Sequence, residues 1–432
     1  MNITIIGTGF VGTVSAAVYA SKGHSVIGLD IDPKKIKSLK KGQVPFYEPK
    51  LEQLLIKQQK AGRLTFTSSY KKAISSAELI IVAVGTPSKK SGAIDLTYVK
   101  KSCQDLAPYL KDKAIVAIKS TVPPGIFSTI KPIIKNKTDK TFYLAALPEF
   151  LKEGTAVNDT LHPDRIVIGA DNKIVLETLG KFFKSYEAPI VKTTPESAQM
   201  IKYSANAYLA TRITFINQIA DLCEHNNANI NDVIRGIGYD QRIGDHYWYP
   251  GLGYGGSCFP KDVKELGAFA KKVGEAKNLV RLINQLNEER IPRLLKKYET
   301  LVNGWEGKTV AILGLSFKPH TNDTREAPAL KIIPTLLKKG AKVKTYDPKA
   351  RWQPENKNQQ YRQVPTIKQV VKNADIIMIL IEWPEIIKFN FNQTKLNKKQ
   401  YFLDTRNQFN SKKLIKAGYI YQGIGLPEKI TN

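Results

Sequence analysis

The 432-residue chain reads as an α/β protein: two doubly wound sheet domains bridged by a long central helix and a helical middle domain. Three observations carry this. Short apolar, β-branched runs alternate with amphipathic stretches through the first half, the pattern of a parallel sheet wrapped by helices. The same alternation resumes at Lys308. Between the two, Ser197 to Asn226 runs without proline or glycine.

Taken in order, strands are expected at Ile3–Ile6, Ser25–Leu29, Leu79–Val84, Ala114–Ile118, Tyr143–Leu147 and Arg165–Ile168. Glu52–Gln59 and Tyr98–Leu110 have the amphipathic spacing of helices between them. In the middle, Met200, Ala207, Ile213, Ile216 and Ile219 recur at helical spacing. That predicts a helix of about eight turns, long enough to join domains and to offer a dimerisation face. Later strands are expected at Thr309–Leu313, Lys342–Tyr346, Asp375–Leu380 and Gln400–Leu403. The expected domains are 1–196, a nucleotide-binding sheet; 197–300, a helical dimerisation segment; and 301–432, a second sheet.

Composition narrows the class. With 42% hydrophobic and 24% charged residues, the chain is globular and not disordered. Its longest apolar runs, such as Leu79–Val84 and Ile376–Ile381, fall far short of the roughly 20 residues a spanning helix needs, so no membrane insertion is expected. The N-terminus enters a strand and a glycine turn with no basic leader, so no signal peptide is expected and the cytoplasm is the expected compartment. Three distant cysteines form no disulfide framework, and the five histidines show no ligand spacing with them; no metal is expected. The net charge of +28 comes from lysines scattered in pairs, such as Lys34-Lys35 and Lys412-Lys413. It reads as solvated surface and not as a specific nucleic-acid site.

The first strand is followed directly by Gly7-Thr-Gly9-Phe10-Val11-Gly12, which opens a helix. The first glycine permits the turn, the second lets backbone approach a pyrophosphate, and the third allows close helix–strand packing. Phosphates then meet unpaired amides at the positive end of the helix. The second strand ends at Asp30, where a carboxylate accepts from a ribose and repels a 2′-phosphate. The first domain is thus Rossmann-like, and NAD is expected over NADP. Val84-Gly-Thr86-Pro and Lys119-Ser-Thr121-Val-Pro-Pro-Gly close two further strands at the same edge, where ligands of open sheets bind.

Gly251-Leu-Gly-Tyr-Gly-Gly-Ser-Cys258-Phe-Pro-Lys-Asp262 points to chemistry. Four glycines between 251 and 256 make a loop able to wrap a ligand. Pro260 suits the first turn of a helix, so Cys258 stands at a helix start with Lys261 near it. Both features favour the thiolate. Cys103 and Cys223 lie on amphipathic stretches and read as core. Glu149 and Glu153 follow a strand end and would share a face if their segment were helical. Lys202 and Asn206 share that spacing on the long helix, where an ammonium and an amide together suit a developing oxyanion.

On these residues the chain resembles the UDP-glucose/GDP-mannose dehydrogenase family. The likeness runs through GTGFVG, VPFYEP (Val44–Pro49), VGTP, STVPPG, PEFLKEG, HPDRIVIG, GYGGSCFPKD and GLSFKP, in that order over nearly the whole chain. It implies two successive NAD-dependent oxidations that carry a nucleotide sugar, UDP-glucose, to its uronate. It further implies that Cys258 traps the aldehyde covalently, that Lys202 and Asn206 steady the oxygen, that Asp262 serves proton transfer, and that Glu153 with Thr121 handles water. Implied cofactor contacts are Asp30, Lys35, Thr86, Thr121, Glu153, Lys261 and Arg325, beside the glycine turn. Implied substrate contacts are Glu149, Phe150, Leu151, Lys152, Glu153, Lys202, Asn206, the run Tyr247, Trp248, Tyr249, Pro250 and Gly251, then Gly255 and Lys318. Arg242 resembles an arginine that reaches a partner subunit's substrate, which implies at least a homodimer. Leu147, Asn322-Asp323 and the aromatic run 247–249 depart from the family's usual residues and loosen the sugar and base assignment. GDP-mannose or a UDP-hexosamine is the alternative substrate, and a silent NAD-binding regulator or polyanion-binding protein the alternative of another class. Gly314-Leu-Ser-Phe-Lys318 has one glycine after its strand, so the second sheet is not a dinucleotide site by pattern; the resemblance implies the UDP half binds there.

Overall fold

The computed structural model describes residues 1–354, 359–394 and 398–427. The chain divides into two compact units: Met1–Ala205 with Lys264–Ala276, and Asn206–Val263 with Lys277–Asn432.

The first unit holds an eight-stranded sheet: β1 (Asn2–Ile6), β2 (Ser25–Leu29), β3 (Leu64–Thr67), β4 (Leu79–Val82), β5 (Ala114–Ile118), β6 (Phe142–Ala146), β7 (Ile166–Gly169) and β8 (Ile190–Thr193). Their spatial order is β3-β2-β1-β4-β5-β6-β7-β8, parallel except that β7 runs antiparallel to β6. The order reverses between β1 and β4, which opens a crevice outside their carboxyl ends. All four residues of β4 and all five of β5 are buried, as strands covered on both faces must be. At about 1.5–3 kcal/mol for each fully buried large apolar side chain, these central strands anchor the unit.

The second unit holds six parallel strands: β9 (Thr309–Leu313), β10 (Lys342–Tyr346), β11 (Tyr361–Gln363), β12 (Ile376–Ile379), β13 (Tyr401–Asp404) and β14 (Ile420–Gly423). Their order, β11-β10-β9-β12-β13-β14, repeats the arrangement of the first six strands of the other sheet.

The expected long helix is present as Pro195–His225, 31 residues, starting at the proline whose fixed φ suits a first turn. A second helix, Phe259–Lys272, follows the glycine loop, and a third, Leu279–Val302, shares a small apolar cluster with its first turn through Val280 and Ile283. No helix among the described residues is long and apolar enough to cross a membrane.

Two expectations are corrected. The expected strand Leu79–Val84 stops at Val82, because Ala83 and Val84 already belong to the turn that Gly7 packs against. The segment carrying Glu149 and Glu153 is not helical, so the two do not share a helix face. Its amides are claimed by carboxylates instead of by carbonyls one turn back. Leu151 donates to Glu149 Oε2 (2.9 Å), and Gly154 and Ala156 donate to the two oxygens of Glu48 (2.6 and 2.7 Å).

Candidate active site

In the first unit the glycine turn is shaped by contact. Gly7 has φ +93°, and a Cβ there would lie 2.7 Å from the Ala83 carbonyl oxygen. At Gly12 a Cβ would lie 1.8 Å from the Gly7 carbonyl oxygen, so the third glycine answers first to the turn and only then to the strand residue Ile5. At Gly9 a Cβ would meet nothing within 4 Å, which leaves open the approach a pyrophosphate uses. Gly9 caps the helix Phe10–Ser21 without a side-chain bond, and the first amides, from Phe10 through Gly12, point out of the helix end.

Asp30 is nearly buried at the end of β2. Its Oδ2 accepts from the Thr8 amide and hydroxyl (both 2.9 Å) and from Lys35 Nζ (2.8 Å); Oδ1 accepts from the Asp32 amide (3.1 Å). Burial alone would raise its pKa, but the Lys35 ammonium and these amides outweigh it and hold the carboxyl below its usual range. Asp30 is therefore ionised at neutral pH, as ribose binding and rejection of a 2′-phosphate require. Thr86, buried, follows β4 at the same edge.

The carboxyl ends of β5 and β6 carry the polar chemistry of this unit. Glu149 Oε1 pairs with Lys202 Nζ at 2.9 Å, both side chains more than nine-tenths buried. Burial would raise the Glu149 pKa, but the Lys202 ammonium beside it pulls the carboxyl below its ordinary value. Two cations lie near the Phe150 ring, the Arg165 guanidinium 3.6 Å and Lys202 Nζ 5.5 Å from its centre. A cleft of about 300 Å³ opens here, lined among others by Lys119, Glu149, Phe150, Leu151, Lys152 and Arg165. Thr121, Gln199 and Lys202 line a smaller hollow of about 10 Å³. Glu153 is buried.

In the second unit Cys258 is exposed and its backbone carbonyl accepts the first bond of the helix Phe259–Lys272, from Asp262 (2.9 Å). The helix start expected beside the thiol is therefore present. The lysine is not free to serve it: Lys261 Nζ sits 2.5 Å from Asp262 Oδ1. The other oxygen of Asp262 accepts from Asn206 Nδ2 at 2.6 Å. Cys103 and Cys223 are buried, and burial pushes the Cys103 thiol up to about 12.

The glycine loop meets its surroundings at van der Waals distance. A Cβ at Gly255 would lie 2.3 Å from the Glu326 carbonyl oxygen, and at Gly251 3.0 Å from Arg406 Nη1. Tyr247 holds φ +63°, and Trp248 Nε1 donates to the Gly244 carbonyl (2.9 Å) with the Arg212 guanidinium 3.8 Å from its ring centre. Tyr249 is half exposed and Pro250 buried. Lys318 Nζ lies 5.6 Å from the Phe317 ring centre. Arg242 and Arg325 are exposed, each forked onto a neighbouring aspartate, Asp240 and Asp323. Lys261 and Arg325, read as cofactor contacts, thus belong to the second unit, whereas the glycine turn belongs to the first.

The sequence reading passed over Glu48, Gln199 and Arg406. Arg406 follows β13 and forks onto Glu382 (2.6 and 2.8 Å). Glu48 lies inside the VPFYEP segment, which signalled a family without signalling a role.

A turn that requires glycine at positions 7 and 12, an open helix end and an ionised acid at the end of β2 fit NAD, and the chain is a NAD-dependent dehydrogenase. Comparison with known proteins makes this specific. Three models of one family match: its NAD binding domain over residues 1–187, its central domain over 196–289 and its UDP binding domain over 311–411. The chain belongs to the UDP-glucose/GDP-mannose dehydrogenase family. It is 41% identical to UDP-glucose 6-dehydrogenase TuaD of Bacillus subtilis, over 98% of this chain and 93% of the relative. It is 39% identical to a UDP-glucose 6-dehydrogenase of Rickettsia felis, over 98% and 96%. A solved UDP-glucose dehydrogenase from Pyrobaculum islandicum superposes with a TM-score of 0.91 at 31% identity, over 98% of this chain and 97% of that one.

Proposed function

We propose that this dehydrogenase oxidises UDP-glucose to UDP-glucuronate, consuming two NAD⁺ and one water. The names of the relatives supply the sugar. The observation that carries the covalent mechanism is the exposed thiol of Cys258, at a helix start after a glycine loop, in a chain whose other two thiols are buried. An alcohol cannot become an acid by two hydride losses unless the aldehyde is hydrated or covalently held, and a thiolate supplies that hold.

When bound, NAD⁺ accepts the hydride in each oxidation. The residues do the rest. Lys202, paired with Glu149, and Asn206, oriented by Asp262, lie one turn apart on the long helix and stabilise negative charge on the oxygen at C6. Asp262 takes up and returns the alcohol proton. Cys258 Sγ adds to the aldehyde carbon; the C–S bond forms, the carbonyl pair moves to oxygen, and a thiohemiacetal results. Loss of its hydroxyl proton and hydride leaves a thioester. Water, directed by Glu153 and Thr121, adds to the thioester carbonyl; the C–S bond breaks and returns the thiolate, releasing the carboxylate. Phe150 and Leu151, the 247–251 run, Gly255 and Lys318 hold the sugar nucleotide, with 1–196 as the NAD part, 197–300 as the dimerisation part and 301–432 as the UDP part.

The enzyme works as a homodimer in the cytoplasm. Tyr208, Phe215 and Leu222 expose half or more of their surface at seven-residue spacing along the long helix, a stripe suited to the same helix of a second copy. Arg242 is extended into solvent and free to swing from Asp240 to a partner's substrate.

Purified protein, NAD⁺ and a panel of nucleotide sugars test this by counting NADH per sugar consumed. Two per UDP-glucose with an acidic product is expected. One per sugar overturns the role of Cys258. Turnover of GDP-mannose or a UDP-hexosamine alone keeps the mechanism and moves the specificity. Tight NADH binding with no turnover overturns the enzyme reading.

A further inference from the structure

The loop that ends at Cys258 has its geometry imposed by side chains of two helices. The Gly251 amide donates to Asn217 Oδ1 at 2.8 Å, and the Gly251 carbonyl accepts from Arg290 Nε at 3.0 Å. Three residues on, the Tyr254 amide donates to Asn287 Oδ1 at 2.8 Å and its carbonyl accepts from Asn287 Nδ2 at 3.1 Å. Asn287 thereby holds both polar groups of one residue, as a neighbouring strand would. Between these anchors Gly253 has φ +92°, and a Cβ there would lie 2.4 Å from Asn287 Oδ1. Downstream, the Gly256 amide donates to the Arg325 carbonyl at 3.2 Å.

Asn217 belongs to the long helix; Asn287 and Arg290 are three apart on the helix Leu279–Val302 and so share a face. Their exposures are 3%, 7% and 2%. Arg290 also pairs with Asp221, one turn beyond Asn217. Folding alone does not call for such a set, because a buried ion pair is often matched or bettered by apolar groups of the same volume. Hydrogen bonds at named atoms give what apolar packing cannot: they fix the register of a glycine-rich backbone that would otherwise slide among many conformations.

We propose that Asn287 and Arg290, with Asn217, are positioning residues that hold the 251–256 loop so that Cys258 Sγ meets the substrate carbonyl. This rests on the reading of Cys258 as nucleophile. The two oxidations then differ in their need for the clamp. Alcohol to aldehyde forms no bond to sulfur, whereas aldehyde to acid begins by forming the C–S bond and ends by breaking it. A nucleophile displaced by about 1 Å loses on the order of 100-fold in rate.

The test compares NADH formation from UDP-glucose and from its 6-aldehyde in a single turnover, per molecule competent to bind NADH. Asn287→Asp keeps the acceptor for the Tyr254 amide and turns a second oxygen onto the Tyr254 carbonyl. Arg290→Lys keeps the charge facing Asp221 but cannot also reach Gly251; it decides the matter should Asn287→Asp not fold. In either variant aldehyde oxidation falls roughly 10- to 100-fold, while the first oxidation and NADH affinity stay within about threefold. Lys308→Met is the structural comparison. It uncaps the helix Leu279–Val302 by removing bonds to the Asn303 and Gly304 carbonyls (both 2.8 Å), and per competent molecule it changes the two steps in equal proportion. Wild-type aldehyde oxidation by Cys258→Ser would sink the nucleophile and the clamp with it. Failure of Cys258→Ser alongside wild-type aldehyde oxidation by Asn287→Asp and Arg290→Lys would overturn the clamp alone.

Discussion

Replacing Glu149 by Gln removes the carboxylate that Lys202 pairs with in the interior, and the size of the penalty can be worked out. The pair stands at 2.9 Å with side chains 8% and 5% exposed. At an effective dielectric near 20 its attraction is about 6 kcal/mol, most of it offset by the cost of taking both ions out of water. Removing one partner keeps the other's desolvation cost and loses the attraction, about 3–5 kcal/mol. The glutamine also turns an amide group toward the Leu151 amide that Glu149 now accepts from. At roughly 2–4 °C per kcal/mol for 150–250 residues, the thermal midpoint should fall by about 6–20 °C at pH 7. Lys202→Met should cost a similar amount, and the double variant should recover most of the loss, since a neutral buried pair has no ion to desolvate. Midpoints followed by circular dichroism suffice, because two units need not unfold in one transition. The pH dependence has a definite sign. Glu149 titrates below its ordinary value, so its contribution is full above the unfolded carboxylate value near 4.3 and is lost as pH falls through the folded one. The gap between wild type and Glu149→Gln should therefore close in scans below about pH 4. A variant within a degree of wild type at pH 7, or a double variant as unstable as the two singles summed, would refute the reasoning.

Asp30→Asn should reduce the preference for NAD over NADP by roughly 10- to 100-fold in kcat/KM, since like charges about 4 Å apart repel by up to about 4 kcal/mol; an unchanged ratio would remove Asp30 from cofactor choice. Iodoacetamide at neutral pH should alkylate one thiol of the native protein, Cys258, because Cys103 and Cys223 are buried; peptide mapping checks it, and rapid labelling of either buried thiol would count against the fold described. Phe215→Asp with Leu222→Asp should convert the protein to a monomer in light scattering, and an unchanged mass would move the dimer surface off the long helix.

What the sequence made legible follows from where a residue's signal comes from. Strands buried on both faces, such as Ala114–Ile118 and Thr309–Leu313, are continuous apolar runs and were read to the residue. The sheet edges were missed: β3, β8, β11 and β14 are only three or four residues long, too short for a period to be read, and β8 and β11 carry exposed Lys192 and Arg362. Paired site residues on one helix, Lys202 and Asn206, were visible from spacing. Their partners, Glu149 at a distance of 53 residues and Asp262 at 56, were not paired with them by any local pattern. Glu48 shows the same limit, bonding to amides 106 and 108 residues away. Spacing also misled where backbone amides had better acceptors: Glu149 and Glu153 suit a helix until carboxylates take the bonds that would close it.

The two sheets repeat one strand order, yet only the first makes a dinucleotide site, and the acids at the ends of their second strands show why. Asp347 follows β10 as Asp30 follows β2, and Gly314 (φ +102°) follows β9 as Gly7 follows β1. Asp347 Oδ2 accepts from the Leu315 and Ser316 amides, the Ser316 hydroxyl and Trp383 Nε1, while Oδ1 accepts from the Lys349 and Ala350 amides. Six donors on a group with about four lone-pair sites leave nothing for a ribose hydroxyl. Asp347 is also 1% exposed, with the Trp383 indole beside it. On Asp30, by contrast, Oδ1 takes only the Asp32 amide among the described residues and keeps capacity for a ligand donor. The same fold thus leaves an acceptor with spare capacity after one second strand and a saturated carboxylate after the other. The difference is made by the Trp383 indole on one oxygen and a second backbone amide, that of Ala350, on the other.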